Sequence, residues 1–333
     1  LKITVLMGNS MQSIVLEVYI IYSISSFIEK TKEELGKHFS KLARKNNCMI
    51  TEEQFRTELD LIINNAIRED VGDGDHSSLA CIPASATGKA KLLVKAKGII
   101  AGVNFAKQVF QYVDRNLEVE VLINDGASVK FGDIVFYVSG SSQSILKAER
   151  LVLNAMQRMS AIATKTNYFV KLLEGTDTKI LDTRKTTPGI RALEKWAVKI
   201  GGGENHRFAL YDMVMLKDNH IDFAGGITKA IEKTQNYLKD KNLDLKIIVE
   251  ARNLDEVEII LKSNGIYRIL LDNFSFEDTR KAVKMIGDQC LTESSGGINE
   301  ETIKMYAECG VDFISSGALT HSIYNMDLSL KAV

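Results

Sequence analysis

The 333-residue chain holds only two prolines, Pro83 and Pro188, and four cysteines, and its 42 basic residues are matched by 43 acidic ones. Two prolines leave little room for long irregular linkers. A formal net charge of −1 excludes a general electrostatic footprint for nucleic acid or an acidic membrane, so any cationic site must be local and its ligand small. Cys48, Cys81, Cys290 and Cys309 are widely scattered, with no Cys-x-x-Cys or Cys/His spacing. That excludes a zinc ribbon and a disulfide framework, and reduced thiols in a cytoplasmic protein are expected instead. The apolar stretch Ile14 to Ile28 is interrupted by Glu17 and falls short of the ~20 residues of a membrane helix. It also lacks the basic flank and small-residue cleavage site of a secretory signal.

Residues 1–48 read as an extension outside the functional unit, whose removal should leave activity intact. From Met49 the pattern becomes that of a folded domain, opening on Thr51-Glu52-Glu53-Gln54, which resembles a capping box. Phe55, Leu59, Ile62, Ile63 and Ala66 recur at helical spacing up to Arg68 and are followed by a polar, glycine-rich turn, Glu69 to Ser78. Lys89 to Val103 and Val119 to Val138 read as short strands and hairpins, with Asp125-Gly126 and Gly132-Asp133 as turn signals. Glu149 to Leu173 returns to helical spacing.

The rest of the chain alternates strand-like runs with helical segments. The runs are Thr178–Leu181, Met213–Leu216, Lys246–Val249, Arg268–Leu271, Cys290–Glu293 and Asp312–Ser315, each followed by polar residues or glycine. This is the pattern of consecutive βα units in a parallel α/β barrel, where the C-terminal strand ends share one face and carry the chemistry.

That face collects a distinctive inventory. Arg184, Lys185, His206, Arg207 and Lys217 stand at loop positions around the turn Gly201-Gly202-Gly203. Arginine supplies the planar, two-pronged donor set that carboxylates and phosphates favour. Arg191, Lys195 and Lys199, spaced i, i+4, i+8, are expected instead on a solvated helix face. His206, His220 and His321 fall in loops without metal-ligand spacing, which favours hydrogen bonding to an anion. Glu250 and Asp272 each end an apolar run and suit a divalent cation or sugar hydroxyls, although acids at helix N-termini would look the same. Ser295-Gly296-Gly297, before a helix expected over Asn299–Cys309, and Ser316-Gly317 after the last run could cradle a phosphate. Glycine turns alone are a weak signal, and Trp196 reads as core.

Taken in order, DTRKTTPGIRALEKWAVKIGGGENHR, LKDNH, VEAR, LLDN, ESSGGI and GVDFISSGALTHS closely resemble the quinolinate phosphoribosyltransferase family, from about Glu52 to the C-terminus. The resemblance implies an α/β protein with an N-terminal α/β sandwich domain, residues 49–157 with the tail 322–333, and an incomplete parallel α/β barrel, residues 158–321. It implies transfer of phosphoribosyl from phosphoribosyl pyrophosphate to quinolinate with loss of carbon dioxide, Mg²⁺ as cofactor, and a homodimer with shared active sites. By motif position, Thr183, Arg184, His206, Arg207 and Lys217 match residues that bind quinolinate, and Arg150 matches one lent to the neighbouring subunit's site. Lys185, Glu250, Asp272, Ser295, Gly296, Gly297, Ser316, Gly317, Ala318 and His321 match the phosphoribosyl pyrophosphate side, with Glu250 and Asp272 holding the metal through water. No nucleic-acid or membrane partner is implied.

One departure follows the helix that carries Glu149-Arg150-Leu151-Val152-Leu153-Asn154: Ala161 stands where relatives often carry glycine, which matters only if that backbone needs a positive φ. The alternatives are a paralogue that uses nicotinate or serves molybdenum transport, a Schiff-base aldolase with Lys185 or Lys217 as nucleophile, and a non-enzymatic anion-binding module.

Overall fold

The computed structural model of the chain describes residues 50–333, so the extension read at residues 1–48 lies outside them. The first described helix, Glu52–Val71, starts where the sequence placed it. The Thr51 hydroxyl accepts from Gln54 N and the Gln54 side chain accepts from Thr51 N, a complete capping box.

Five short strands follow: β1 Thr87–Val94, β2 Gly98–Ile99, β3 Glu118–Val121, β4 Ser128–Val129 and β5 Ile134–Ser141. Six more, β6 Lys179–Leu181, β7 Val214–Leu216, β8 Ile247–Ala251, β9 Ile266–Asp272, β10 Leu291–Ser295 and β11 Phe313–Ser315, alternate with helices, and β12 Leu328–Ala332 ends the chain. β12, β1, β5 and β3 pair in that order, all antiparallel. Within β1, Ala90, Leu92 and Val94 are buried with a period of two, so one face of this sheet meets the core.

The 31-residue helix Ser142–Leu172 joins the two halves. It packs under β5, β1 and β12 and also against helix Arg191–Ile200 and β6. Ala161 is fully helical within it, and its φ is not positive, so a methyl group there costs nothing in backbone strain.

The second sheet is parallel, in the order β6-β11-β10-β9-β8-β7. Every residue of β8 is buried, as befits a strand covered on both faces. Consecutive strands are neighbours from β7 to β11 and β11 closes onto β6, but β6 and β7 do not pair. That open seam makes the barrel incomplete. On the free edge of β6, Glu204 N donates to Ile180 O and Asp182 N donates to Glu204 O, so residue 204 adds one parallel rung.

The triple glycine is what lets the chain reach this rung. A Cβ on Gly201 would stand 2.5 Å from Ala163 O, and one on Gly203 would stand 2.7 Å from Thr166 Cγ2. Glycine is therefore required for close packing onto helix Ser142–Leu172, which aims the following residues, His206 and Arg207, at the strand ends.

Three expectations are corrected. The helix expected over Asn299–Cys309 is regular only over Ile303–Ala307, because the Asn299 side chain accepts from Glu301 N and Thr302 N and holds that stretch in a turn. His220 is not in a loop: it sits at the third position of helix Asp218–Ala224, where its Nδ1 accepts from Lys217 N. Lys195 is not on a solvated face. It is 3 % exposed and ion-paired with Asp182, because its helix presents that side to the barrel rather than to water.

Candidate active site

The strand ends enclose a cavity of about 740 Å³, and every site residue named from the sequence except Arg150 and His220 lines it. Each arrives by a local rule. Thr183, Arg184 and Lys185 leave the end of β6, His206 and Arg207 follow the Glu204 rung, and Lys217 follows β7. Glu250 lies in β8 and Asp272 ends β9, while Ser295 ends β10 directly opposite Asp272 in the ladder. Ser316, Gly317 and Ala318 follow β11, and His321 ends the short helix they open. Arg150 is exposed on helix Ser142–Leu172, away from this chain's cavity. His220 does not line it either.

One side of the cavity is cationic. Arg184 Nε is buried without a hydrogen-bond partner among the described residues, a donor that calls for an acceptor. Arg207 is 6 % exposed, and one guanidinium nitrogen donates to Met213 O at 3.1 Å. Burial first, and then the neighbouring Arg184, hold Arg207 below the ordinary arginine value. An arriving dianion would relieve both penalties.

The cavity also holds two carboxylates, Glu250 and Asp272. Glu250 is 6 % exposed, with Lys217 Nζ 3.5 Å away. Burial pushes its carboxyl up, Lys217 pulls it down and Asp272 pushes it up again. Two neighbouring carboxylates, one of them pushed up partly by the other's charge, suit a shared cation or sugar hydroxyls. Among the described residues no group of three or more His, Cys, Asp or Glu is placed to hold a metal ion.

The glycine loops bring backbone close. A Cβ on Gly296 would fall 2.2 Å from Asn273 Oδ1, and one on Gly317 would fall 2.8 Å from both Lys185 Cδ and His321 Cδ2. Asn273 itself adopts φ +55° and donates from Nδ2 to Asp272 Oδ2 at 2.8 Å, so it links the acid to the glycine turn.

Sequence reasoning missed the supports. Glu293, inside ESSGGI, is wholly buried at the cavity wall and paired with Arg268. Asp182 receives Lys195 Nζ, His206 N and Asn205 Nδ2. Arg158 donates to the buried Glu194 and to Thr320 O, Glu194 accepts from Thr187, and Thr320 donates to Lys185 O. That chain of bonds ties the loop carrying Arg184 and Lys185 to the loop after β11. An acid ending an apolar run was the available signal for Glu293, but pairing across strands is not written locally.

Comparisons with known proteins fit this geometry. The family model "Quinolinate phosphoribosyl transferase, C-terminal domain" matches residues 162–331, and the corresponding N-terminal domain matches residues 75–160. A chloroplastic carboxylating nicotinate-nucleotide pyrophosphorylase of Arabidopsis thaliana is 44% identical over 289 residues, covering 82% of each chain. A probable carboxylating nicotinate-nucleotide pyrophosphorylase of Bacillus subtilis is 37% identical, covering 82% of this chain and 93% of that one. The crystal structure of NadC from Streptococcus pyogenes superposes with a TM-score of 0.77 at 36% identity, covering 86% of this chain and all of that one.

Proposed function

The chain belongs to the quinolinate phosphoribosyl transferase family, and on that premise we propose that it transfers the phosphoribosyl group of phosphoribosyl pyrophosphate to quinolinate. The products are nicotinate mononucleotide, pyrophosphate and carbon dioxide, a step of de novo NAD biosynthesis. The observation that carries this reading is one cavity that gathers Arg184, Arg207 and Lys217 together with the Glu250 and Asp272 carboxylates and two glycine-bearing loops.

In the proposed mechanism Thr183, Arg184, His206, Arg207 and Lys217, with Arg150 of the partner subunit in a homodimer, hold the two quinolinate carboxylates. They keep the pyridine nitrogen in line with C1 of the ribose. Pyrophosphate departs as the nitrogen attacks, and no protein nucleophile is needed. Lys185 faces the leaving group and His321 the 5′-phosphate, which the backbone of Ser295–Gly297 and Ser316–Ala318 approaches closely. Glu250 and Asp272 would hold the ribose hydroxyls or Mg²⁺ there. Bound there, Mg²⁺ would supply positive charge against the developing pyrophosphate. The same cations retain the dicarboxylate while the bond from C2 to its carboxylate breaks; carbon dioxide leaves, and the electron pair left on C2 takes up a proton from solvent.

The cationic wall favours a dicarboxylate over nicotinate, whose single carboxylate needs fewer partners. Carbon dioxide release dependent on both quinolinate and phosphoribosyl pyrophosphate, with Mg²⁺ present, is the expected result. Turnover of nicotinate instead, or no release under any condition, would reject it. Among the described residues no helix is long and apolar enough to cross a membrane. A cytoplasmic location is part of the proposal, tested by imaging the full chain in its own cells.

A further inference from the structure

The loop after β6 serves two parts of the cavity with neighbouring residues. Arg184 belongs to the cationic wall, while Lys185 packs against Gly317, where an added Cβ would lie 2.8 Å from both Lys185 Cδ and His321 Cδ2. Two arginines that do not line the cavity, Arg158 and Arg191, grip this loop, each toward a different neighbour.

Arg158, on helix Ser142–Leu172, faces the loop after β11. Its Nε donates to the wholly buried Glu194 at 2.9 Å, and its Nη2 donates to Thr320 O at 2.6 Å. Glu194 also accepts from Thr187 N at 3.0 Å and from Thr187 Oγ1 at 2.8 Å. The buried Thr320 hydroxyl donates to Lys185 O at 2.9 Å, with Gly317 O farther off at 3.2 Å. The helix that holds Thr320, Ala318–His321, is only four residues long and too short to keep its shape alone. Thr320 O is one of the carbonyls that such a helix cannot satisfy itself, so the Arg158 bond fixes the segment that presents His321.

Arg191 faces the other way. The i, i+4, i+8 spacing predicts a solvated face for it, yet its Nε donates to Thr186 Oγ1 at 2.9 Å and its Nη1 to Phe208 O at 3.1 Å. It joins the Arg184 loop to the residue after Arg207.

We propose that Arg158 and Arg191 are positioning residues that register one loop against two half-sites separately. Arg158, with Glu194, sets Lys185 against Gly317 and His321 on the phosphoribosyl side, and Arg191 sets Arg184 against Arg207 on the dicarboxylate side. The fork is what each task requires. A guanidinium reaches two acceptors in fixed directions, whereas an ammonium of the same charge cannot reproduce both bonds.

That difference separates positioning from plain charge neutralisation. Arg158→Lys keeps a cation beside the buried Glu194, so a folded protein is expected, checked by its thermal midpoint. The assignment of the half-sites rests on the proposed function, so binding is read before turnover. Calorimetry uses quinolinate and ribose 5-phosphate, each alone, with wild type, Arg158→Lys and Arg191→Lys. Arg158→Lys should weaken ribose 5-phosphate about 10-fold and quinolinate less than about 2-fold, and Arg191→Lys should do the reverse. Thr320→Val removes the hydroxyl bond to Lys185 O and leaves Arg158 paired with Glu194. It should reproduce the Arg158→Lys pattern, and it decides the matter if the lysine variant does not fold.

Wild-type affinities in the folded variants, or equal losses of both ligands, would overturn the proposal. Turnover then tests the function on its own. A wild type that binds both ligands and releases no carbon dioxide would remove the proposed function, with the binding split still deciding the two braces. A wild type that binds neither ligand would remove both.

Discussion

Lys195 Nζ lies 2.5 Å from Asp182 Oδ1, and both side chains are sealed from solvent. Burial pushes the Asp182 carboxyl up and the Lys195 ammonium down, and each is held in place by the other's charge. The pair sits behind the cationic wall, with Asp182 also receiving Asn205 Nδ2 at 2.6 Å.

Removing one partner strands the other charge in the interior. Lys195→Met is therefore expected to destabilise the protein by about 3–5 kcal/mol. Lys199→Met, on the same helix but pairing with Glu204 at the surface, should cost less than about 1 kcal/mol. Urea denaturation of the two variants provides the comparison, and equal losses would contradict the burial of Lys195.

The cationic wall is expected to act on the transition state. Arg184→Ala and Lys217→Ala should each cost about 2–4 kcal/mol of transition-state stabilisation, roughly 30- to 1000-fold in kcat/KM. Steady-state kinetics with quinolinate as the varied substrate measure this. Near wild-type turnover in both variants would reject the assignment of that wall to the dicarboxylate.

The two glycines after β10 should respond differently to a methyl group. Both have positive φ, +92° at Gly296 and +60° at Gly297, so alanine strains each backbone. Only at Gly296 does the added Cβ also run into Asn273. Gly296→Ala should therefore lose about 1–3 kcal/mol more stability than Gly297→Ala, and should raise KM for phosphoribosyl pyrophosphate further. Thermal denaturation and kinetics on the pair test it, and indistinguishable variants would count against Asn273 as the support of that loop.

Acid should reveal the Glu293 pair. Its carboxyl is held below the ordinary glutamate value of 4.5, against burial, by His206 and Arg268. Below about pH 4.5 the unfolded chain takes up a proton that the native carboxylate refuses, so native stability falls as pH falls. Glutamine has no such proton to take up. The stability advantage of wild type over Glu293→Gln should be full at neutral pH and shrink progressively below about pH 4.5. Denaturant titrations across that range would show it, and an advantage that stays constant into acid would refute the ionised pair.

The sequence by itself determined what is local. Strand runs announced themselves as short apolar stretches ending in polar residues or glycine. Thr51 and Gln54 announced a helix start, because their hydrogen bonds span only three residues. The loop residues from Thr183 to His321 could be gathered onto one face because parallel strands all end on the same side. Tertiary structure alone decided what depends on pairing between distant segments. Lys195 has the spacing of a surface lysine, and only the docking of its helix against helix Ser142–Leu172 leaves it turned toward Asp182. Glu293 and Arg268 meet because β10 and β9 are neighbours in one sheet, and His206 reaches them because the triple glycine lets the chain press onto helix Ser142–Leu172. Side-chain type and spacing fix which groups stand at a strand end. Burial and the choice of partner, which set their charge and orientation, come from contacts that no local pattern encodes.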